Sequence, residues 1–226
     1  LTSDGLIDIQ TAAGNLTVSN PVQAGGAGTI NLDANAGNVV INSPVTSNTG
    51  SVTISGNTDV THGIDGHVTV SSGVAGTVTE TATTGNLTMD GSSVITTQGG
   101  SVTLSAPLGS IALGQVDAAA GNIFVETPTG NITKNTIDPA VNLVGGSAYC
   151  FAQSGVGSAA AIRTTLSQFQ GEVTAAGDLQ VFDTGASLTL SAWNGGIHSI
   201  RTNSGLIGIE ASGGNLTVSD PVQAVL

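Results

Sequence analysis

Charge is scarce in this 226-residue chain: Asp, Glu, Lys and Arg make up 8% of it, against about 25% in an average globular protein. Only Lys134, Arg163 and Arg201 are positive, set against 15 acids, which leaves a net charge of −12. Nucleic acid and anionic membrane surfaces are both held by clustered Lys and Arg, so neither is expected as a partner. Aromatic residues are only 3% of the chain. There is one cysteine, Cys150, within the apolar run AYCFA. It has no partner for an internal disulfide, and its setting suits a buried structural thiol better than a nucleophile. No run approaches the roughly 18 apolar residues of a membrane-spanning helix. The segment shows no signal peptide and opens on Leu1 rather than Met, so an export signal is expected to lie outside it. The profile of a disordered chain is missing too, because hydrophobic residues are 39% and the mean hydropathy is +0.28; such a chain folds.

What remains is Gly (33 residues) with Val, Ile, Leu, Ala, Ser, Thr and Asn, a mixture of strand formers and turn formers. It is ordered as a pentapeptide, Gly-x-apolar-x-apolar: GNLTV at 14, GNVVI at 37, GSVTI at 50, GNLTM at 85, GSVTL at 100, GNIFV at 121 and others. Alternation places the two apolar residues on one face of a strand, and the leading Gly is expected to take a turn conformation closed to other residues. The units are spaced alternately by 9 and by 13 or 14 residues, as from Gly5 to Gly14 to Gly28 to Gly37 to Gly50. A third short apolar segment, such as Pro21-Val22 or Pro44-Val45, sits in each longer interval. Three strands in about 22–23 residues describe a coil wound on a triangular prism, and fixed periods of this size imply a solenoid. The expected fold is therefore all-β, a parallel β-helix with three short strands per coil. Sandwiches and closed barrels would need hairpins and show no constant coil length. Asn15, Asn38, Asn86, Asn122 and Asn131 each follow a leading Gly, so some are expected to stack in a hydrogen-bonded ladder.

Two regions depart from the rhythm. Residues 55–75 lengthen one coil to about 26 residues, read as a loop bulging from the stack. Residues 134–200 lose the alternation and read as irregular coils. Within them Ile162, Leu166 and Phe169 have a helical spacing that allows a short helix at 159–169, although the strand-rich context favours an irregular coil. Trp193, in the turn AWNGG, reads as a packing residue.

At the largest scale the chain repeats itself. GLIDIQTAAGNLTVSNPVQA at 5–24 returns as GLIGIEASGGNLTVSDPVQA at 205–224, with 14 of 20 positions identical at an offset of 200 residues. The chain thus reads as one solenoid segment, 1–226, holding a repeat at 5–204 and the start of the next at 205–226. The GNLTV, GSVTL and GNIFV units, the DPVQA connector and the block VGSAAAIRTTLSQF…GDLQVFDTGASLTL resemble the repetitive shafts of filamentous-haemagglutinin-like and related β-strand-repeat adhesins of Gram-negative bacteria. The resemblance implies a right-handed parallel β-helix, exported and displayed at the bacterial cell surface as an extracellular stalk or fibre.

Sites for chemistry are few. Parallel β-helices also carry polysaccharide-acting enzymes, but glycoside hydrolysis needs two carboxylates facing each other across a cleft. The acids here, such as Asp33, Asp90, Asp117 and Asp138, are scattered singly. Lyase action on uronates needs cations that this chain lacks, so no enzyme is expected. Asp59, His62, Asp65 and His67 are the candidate metal ligands, of types that suit a zinc-like ion. Their spacing matches no familiar motif and strand pleating points some apart, so a solvated polar loop, without metal or cofactor, is the expectation. The repeats of calcium-binding β-rolls and the EF-hand loop are both missing. The expected function is a structural stalk or fibre segment, stacking end to end with adjacent repeats or identical copies. The alternative is a module that binds carbohydrate or a host surface through 55–75 and 141–200, on glycans or other cells.

Overall fold

The computed structural model describes residues 2–3, 5–73 and 76–225. Leu1, Asp4, Val74, Ala75 and Leu226 lie outside the described residues, Val74 and Ala75 at the close of the segment expected to bulge. Among the described residues there is no helix; the regular elements are strands, stacked in parallel as a β-solenoid of about nine turns with three strands per coil. The opening coil lays Ile7–Thr11 on the first face, Leu16–Val18 on the second and Val22–Gly25 on the third.

The pentapeptide sets this pattern locally. In Val39–Ile41 the two end residues are buried and the middle one is not, and Val45–Ser47, Val60–His62 and Leu87–Met89 repeat that alternation. Because one coil has no interior of its own, burial comes from stacking. On the first face Ile7 pairs with Ile30, then Val52, Val78, Val102, Ile123, Ala148, Phe169, Leu190 and Val218. On the second, Leu16 is followed by Val39, Val60, Leu87, Ile111, Ile132, Val156, Leu179 and Ile207. These columns are the core. Ile30, Val52, Leu87, Ile111, Ile123 and Phe169 are fully enclosed, and each aliphatic side chain so buried contributes about 1.5–3 kcal/mol.

The two irregular regions resolve differently from expectation. In the first, the lengthened coil of 26 residues is present, but its described residues, 55–73, stay in the stack. Val52–Gly56, Val60–His62 and Val68–Val70 occupy the three faces in order, and part of the extra length is taken up at 63–67, between the second and third faces. Ile162–Ala176 is a continuous strand of 15 residues, neither the short helix nor an irregular coil. Its helical spacing has a physical origin. Ile162, Thr164 and Leu166 point inward, the strand then turns the corner between the third and first faces, and Phe169 restarts the inward alternation on the new face. Leu143–Ala152 turns the same corner one coil earlier. These two strands fuse the first and third faces into one 20-stranded sheet, which Leu179–Asp183 and Ile207–Ala211 also join, while the second face from Leu16–Val18 to Ile132–Lys134 keeps a separate six-stranded one.

The leading glycines also have a different cause. Of those that open the pentapeptides, Gly14 has a positive φ, +86°. For Gly100, Gly109 and Gly130 the constraint is space: a Cβ would overlap the carbonyl oxygen of Gly76, Gly85 and Gly109 respectively, each one coil below. Glycine is needed because the corners of successive coils touch backbone to backbone.

The 200-residue repeat is out of step with the coils. Ile207, the counterpart of Ile7, stands in the second-face column that Leu16 begins, and Val218, the counterpart of Val18, stands in the first-face column that Ile7 begins. Val222 likewise leaves the third face of Val22 for the first, over Ile200. The two copies are therefore laid out differently: Ile207 and Val222 lie one face ahead of Ile7 and Val22, Val218 lies two faces ahead of Val18, and Asn215–Val218 and Val222–Val225 share the first face.

Gly100→Ala or Gly109→Ala is expected to lower the unfolding free energy by about 1–3 kcal/mol through overpacking. Urea unfolding against the parent chain measures this, and an unchanged midpoint would contradict the backbone contact.

Candidate functional site

Asp59, His62, Asp65 and His67 do not converge. Asp59 is a rung in a polar ladder along one corner. The Asn15 side-chain oxygen accepts from the Asn38 N–H, Asn38 from Asp59, Asp59 from Asn86, Asn86 from Ser110, and the Ser110 hydroxyl from Asn131. The expected asparagine ladder is thus present with Asp59 and Ser110 as rungs. Asn122 falls outside it, because it opens a first-face strand and pairs with Ser147. Asp65 is exposed. His67 accepts the Val94 N–H at Nδ1, 3.1 Å away. Among the described residues no three His, Cys, Asp or Glu side chains group to hold a metal ion.

His62 is paired elsewhere. It stands between Ile41 and Met89 in a second-face column, pointing inward, with both ring nitrogens engaged. Nδ1 lies 2.8 Å from the Gly66 carbonyl oxygen and Nε2 lies 2.8 Å from Glu80 Oε2. A carbonyl only accepts, so Nδ1 carries a proton. Glu80 stands between Ile54 and Leu104 on the first face, and both side chains are fully buried. Burial alone would lower the pKa of His62, but the charge of Glu80, its hydrogen bond and the Gly66 carbonyl together outweigh it, and the net shift is upward. Glu80 Oε1 has no hydrogen-bond partner. The pair is a closed polar lock across the interior, out of reach of any ligand. A signal for it exists in the sequence: GTVTE places Glu80 where most of the pentapeptides have an aliphatic residue.

Cys150 is fully buried among first-face strands and its thiol is pushed up to about 12 by that burial, so it is inert as a nucleophile. Lys134, at the last position of GNITK, pairs with Asp138, and Arg163 approaches the same carboxylate at 3.8 Å while stacking 4.5 Å over the Phe182 ring.

The aromatic residues carry the one marked surface asymmetry. The single Trp, the single Tyr and the four Phe all lie between 124 and 193. Phe124, Tyr149 and Phe151 alternate with the enclosed Ile123, Val125, Ala148, Cys150 and Ala152, and so they point outward on the first face. Trp193 packs on Phe124 with ring centroids 5.5 Å apart, as a packing residue should, while its indole Nε1 lacks a hydrogen-bond partner. Tyr149 and Phe151 lie 6.3 Å apart at 24°. Burial, with the Glu172 and Glu126 charges next in size, pushes the Tyr149 hydroxyl up to about 12, keeping it a proton donor through the physiological range. Above these rings Gln170, Glu172, Gly196, His198, Arg201 and Gln223 help line a cleft of about 440 Å³.

No protein-family model, curated protein or solved structure matches the chain.

Two outcomes are expected for the buried pair. Glu80→Ala strands His62 in the core and should cost about 3–5 kcal/mol in urea unfolding, whereas replacing both residues by Leu should be neutral or stabilising by about 1–4 kcal/mol. The upward shift of His62 sets the pH response. Its stabilisation is complete below the ordinary value of 6.5 and is lost as pH rises through the higher folded value. The melting midpoint of the parent should therefore fall on the alkaline side, and the double-Leu variant should lose that decline.

Proposed function

We propose that this chain is a non-catalytic structural segment of an extracellular bacterial fibre, the stalk of a large surface adhesin built from tandem 200-residue repeats. The observation that carries the reading is the return of 5–24 at 205–224 within one uninterrupted stack. Both copies lie in the stack, the first against Ile30–Ala34, Val39–Ile41 and Val45–Ser47, the second against Leu179–Asp183, Ser187–Leu190 and Ile200–Asn203. Parallel backbone bonds run along the long axis and the aliphatic columns run beside them, which makes the assembly a rod. Its low charge and Ser-, Thr- and Asn-rich faces suit an exposed shaft, and the resemblance to haemagglutinin-like shafts points to the cell surface.

The final coil indicates what it stacks against. Val218 lies against Leu190 and Val222 against Ile200 on one side. Val218 is 56% exposed, and Leu216 and Val222 are exposed beside it. This is an apolar strand edge, and such an edge invites pairing with another strand. A coil of like geometry, from an adjacent repeat or an identical copy, fits it.

Electron microscopy and light scattering of the isolated chain test this. Rods whose lengths are multiples of one unit are expected as concentration rises, and Val218→Lys with Val222→Lys should leave single units. A parent chain that stays monomeric at every concentration would overturn end-to-end stacking.

A further inference from the structure

The first face changes character partway along the rod. One outward column runs Asn31, Thr53, Thr79 and Thr103, then Phe124, Tyr149 and Gln170. Its neighbour runs Asp33, Ser55, Thr81 and Ser105, then Glu126, Phe151, Glu172, Arg201 and Gln223. Small hydroxylated side chains give way to flat rings interleaved with carboxylates, amides and a guanidinium. The core does not need the rings, since the inward positions of the same strand, Ala148, Cys150 and Ala152, are already enclosed.

We propose that this part of the first face binds a neutral glycan lying along the rod, with sugar rings on Tyr149 and Phe151 and hydroxyls held by Glu126, Glu172 and Arg201. Pyranose rings present apolar C–H faces that stack on aromatic rings, and their hydroxyls both donate and accept. Glu126 and Glu172 accept, Arg201 donates, and Tyr149 keeps its proton. The coil rise of about 4.8 Å is close to the length of one pyranose unit, so a chain along the axis meets one rung per sugar. The cleft of about 440 Å³ beside the rings is within the usual range for a small-ligand site. Charge selects against acidic glycans. Arg201 is paired with Glu172 at 2.9 Å, and the chain carries −12 overall, so uronates and sulfated sugars are repelled. The segment 191–199 closes one side, anchored where the Asn194 N–H donates to Gln170 Oε1 and where Gln170 Nε2 donates to the His198 carbonyl. The site lies on the flank of the rod and does not rest on end-to-end assembly.

Trp193 is the only tryptophan and touches the ring cluster, so its fluorescence reports on the site. The full chain is titrated with cellohexaose, mannohexaose and chitohexaose, and separately with polygalacturonate and heparin. A saturable change in emission with at least one neutral hexamer is expected, about tenfold weaker in Tyr149→Ala and Phe151→Ala, and none with the two polyanions. The melting curve of each variant is measured in parallel. If the ring variants unfold, Glu172→Gln with Arg201→Gln, which alters only part-exposed side chains, should weaken the same signal. The proposal is overturned if no neutral hexamer changes emission at millimolar concentration, if folded variants bind as the parent does, or if the polyanions bind as well.

Discussion

Each coil must arrive back about 4.8 Å above its starting point, in register to exchange backbone hydrogen bonds with the coil below, and the rest of this structure follows from that requirement. It explains why glycine stands at corners such as Gly100 and Gly109, where a methyl group would strike the carbonyl beneath. It explains the ladder from Asn15 to Asn131, in which side-chain oxygens accept the backbone N–H groups of the next coil at a corner. It also explains how little chemistry the core needs. Once stacking is obligatory, Val over Val and Ile over Ile fill the interior with little aromatic bulk, and among the described residues Phe169 is the one phenylalanine fully enclosed.

The regular part of this arrangement was legible before any coordinates, because the pentapeptide alternates with the strand period and its spacing counts the faces of the prism. The failures came where one chain feature served two faces. Ile162, Leu166 and Phe169 mimic a helix because a strand turning a corner slips its inward alternation by one residue. Residues 134–200 lose the alternation for the same reason, since Leu143–Ala152 and Ile162–Ala176 run through corners and carry Gly145, Gly146 and Gly171 inside a strand instead of ahead of one. The polar cluster at 59–67 misled differently. Proximity along the chain suggested convergence, whereas Asp59 belongs to a corner ladder, His62 to the interior and His67 to the next coil's backbone. The partner of His62 comes from the following coil, eighteen residues on, a distance that only the stack makes short. The aromatic face was equally hidden, because Phe124, Tyr149 and Phe151 become neighbours only when the coils are laid on one another.

Interior and exterior are separated in this fold by the strand pleat itself. A change at an outward position leaves the columns untouched, which allows the first face to pass from threonine to aromatic residues while the core beneath stays aliphatic. The His62–Glu80 pair is a polar connection placed inward, as is Thr164–Asp183, and it ties the first face to the second.

The mismatch between repeat and coil has its own consequence. The short strands of 5–24 take one face each, whereas in 205–224 two of them share the first face. A strand of this kind carries no address: any face accepts it so long as its alternating residues find a column beneath. Duplication of such a segment is then absorbed by the stack without a whole number of coils being added each time.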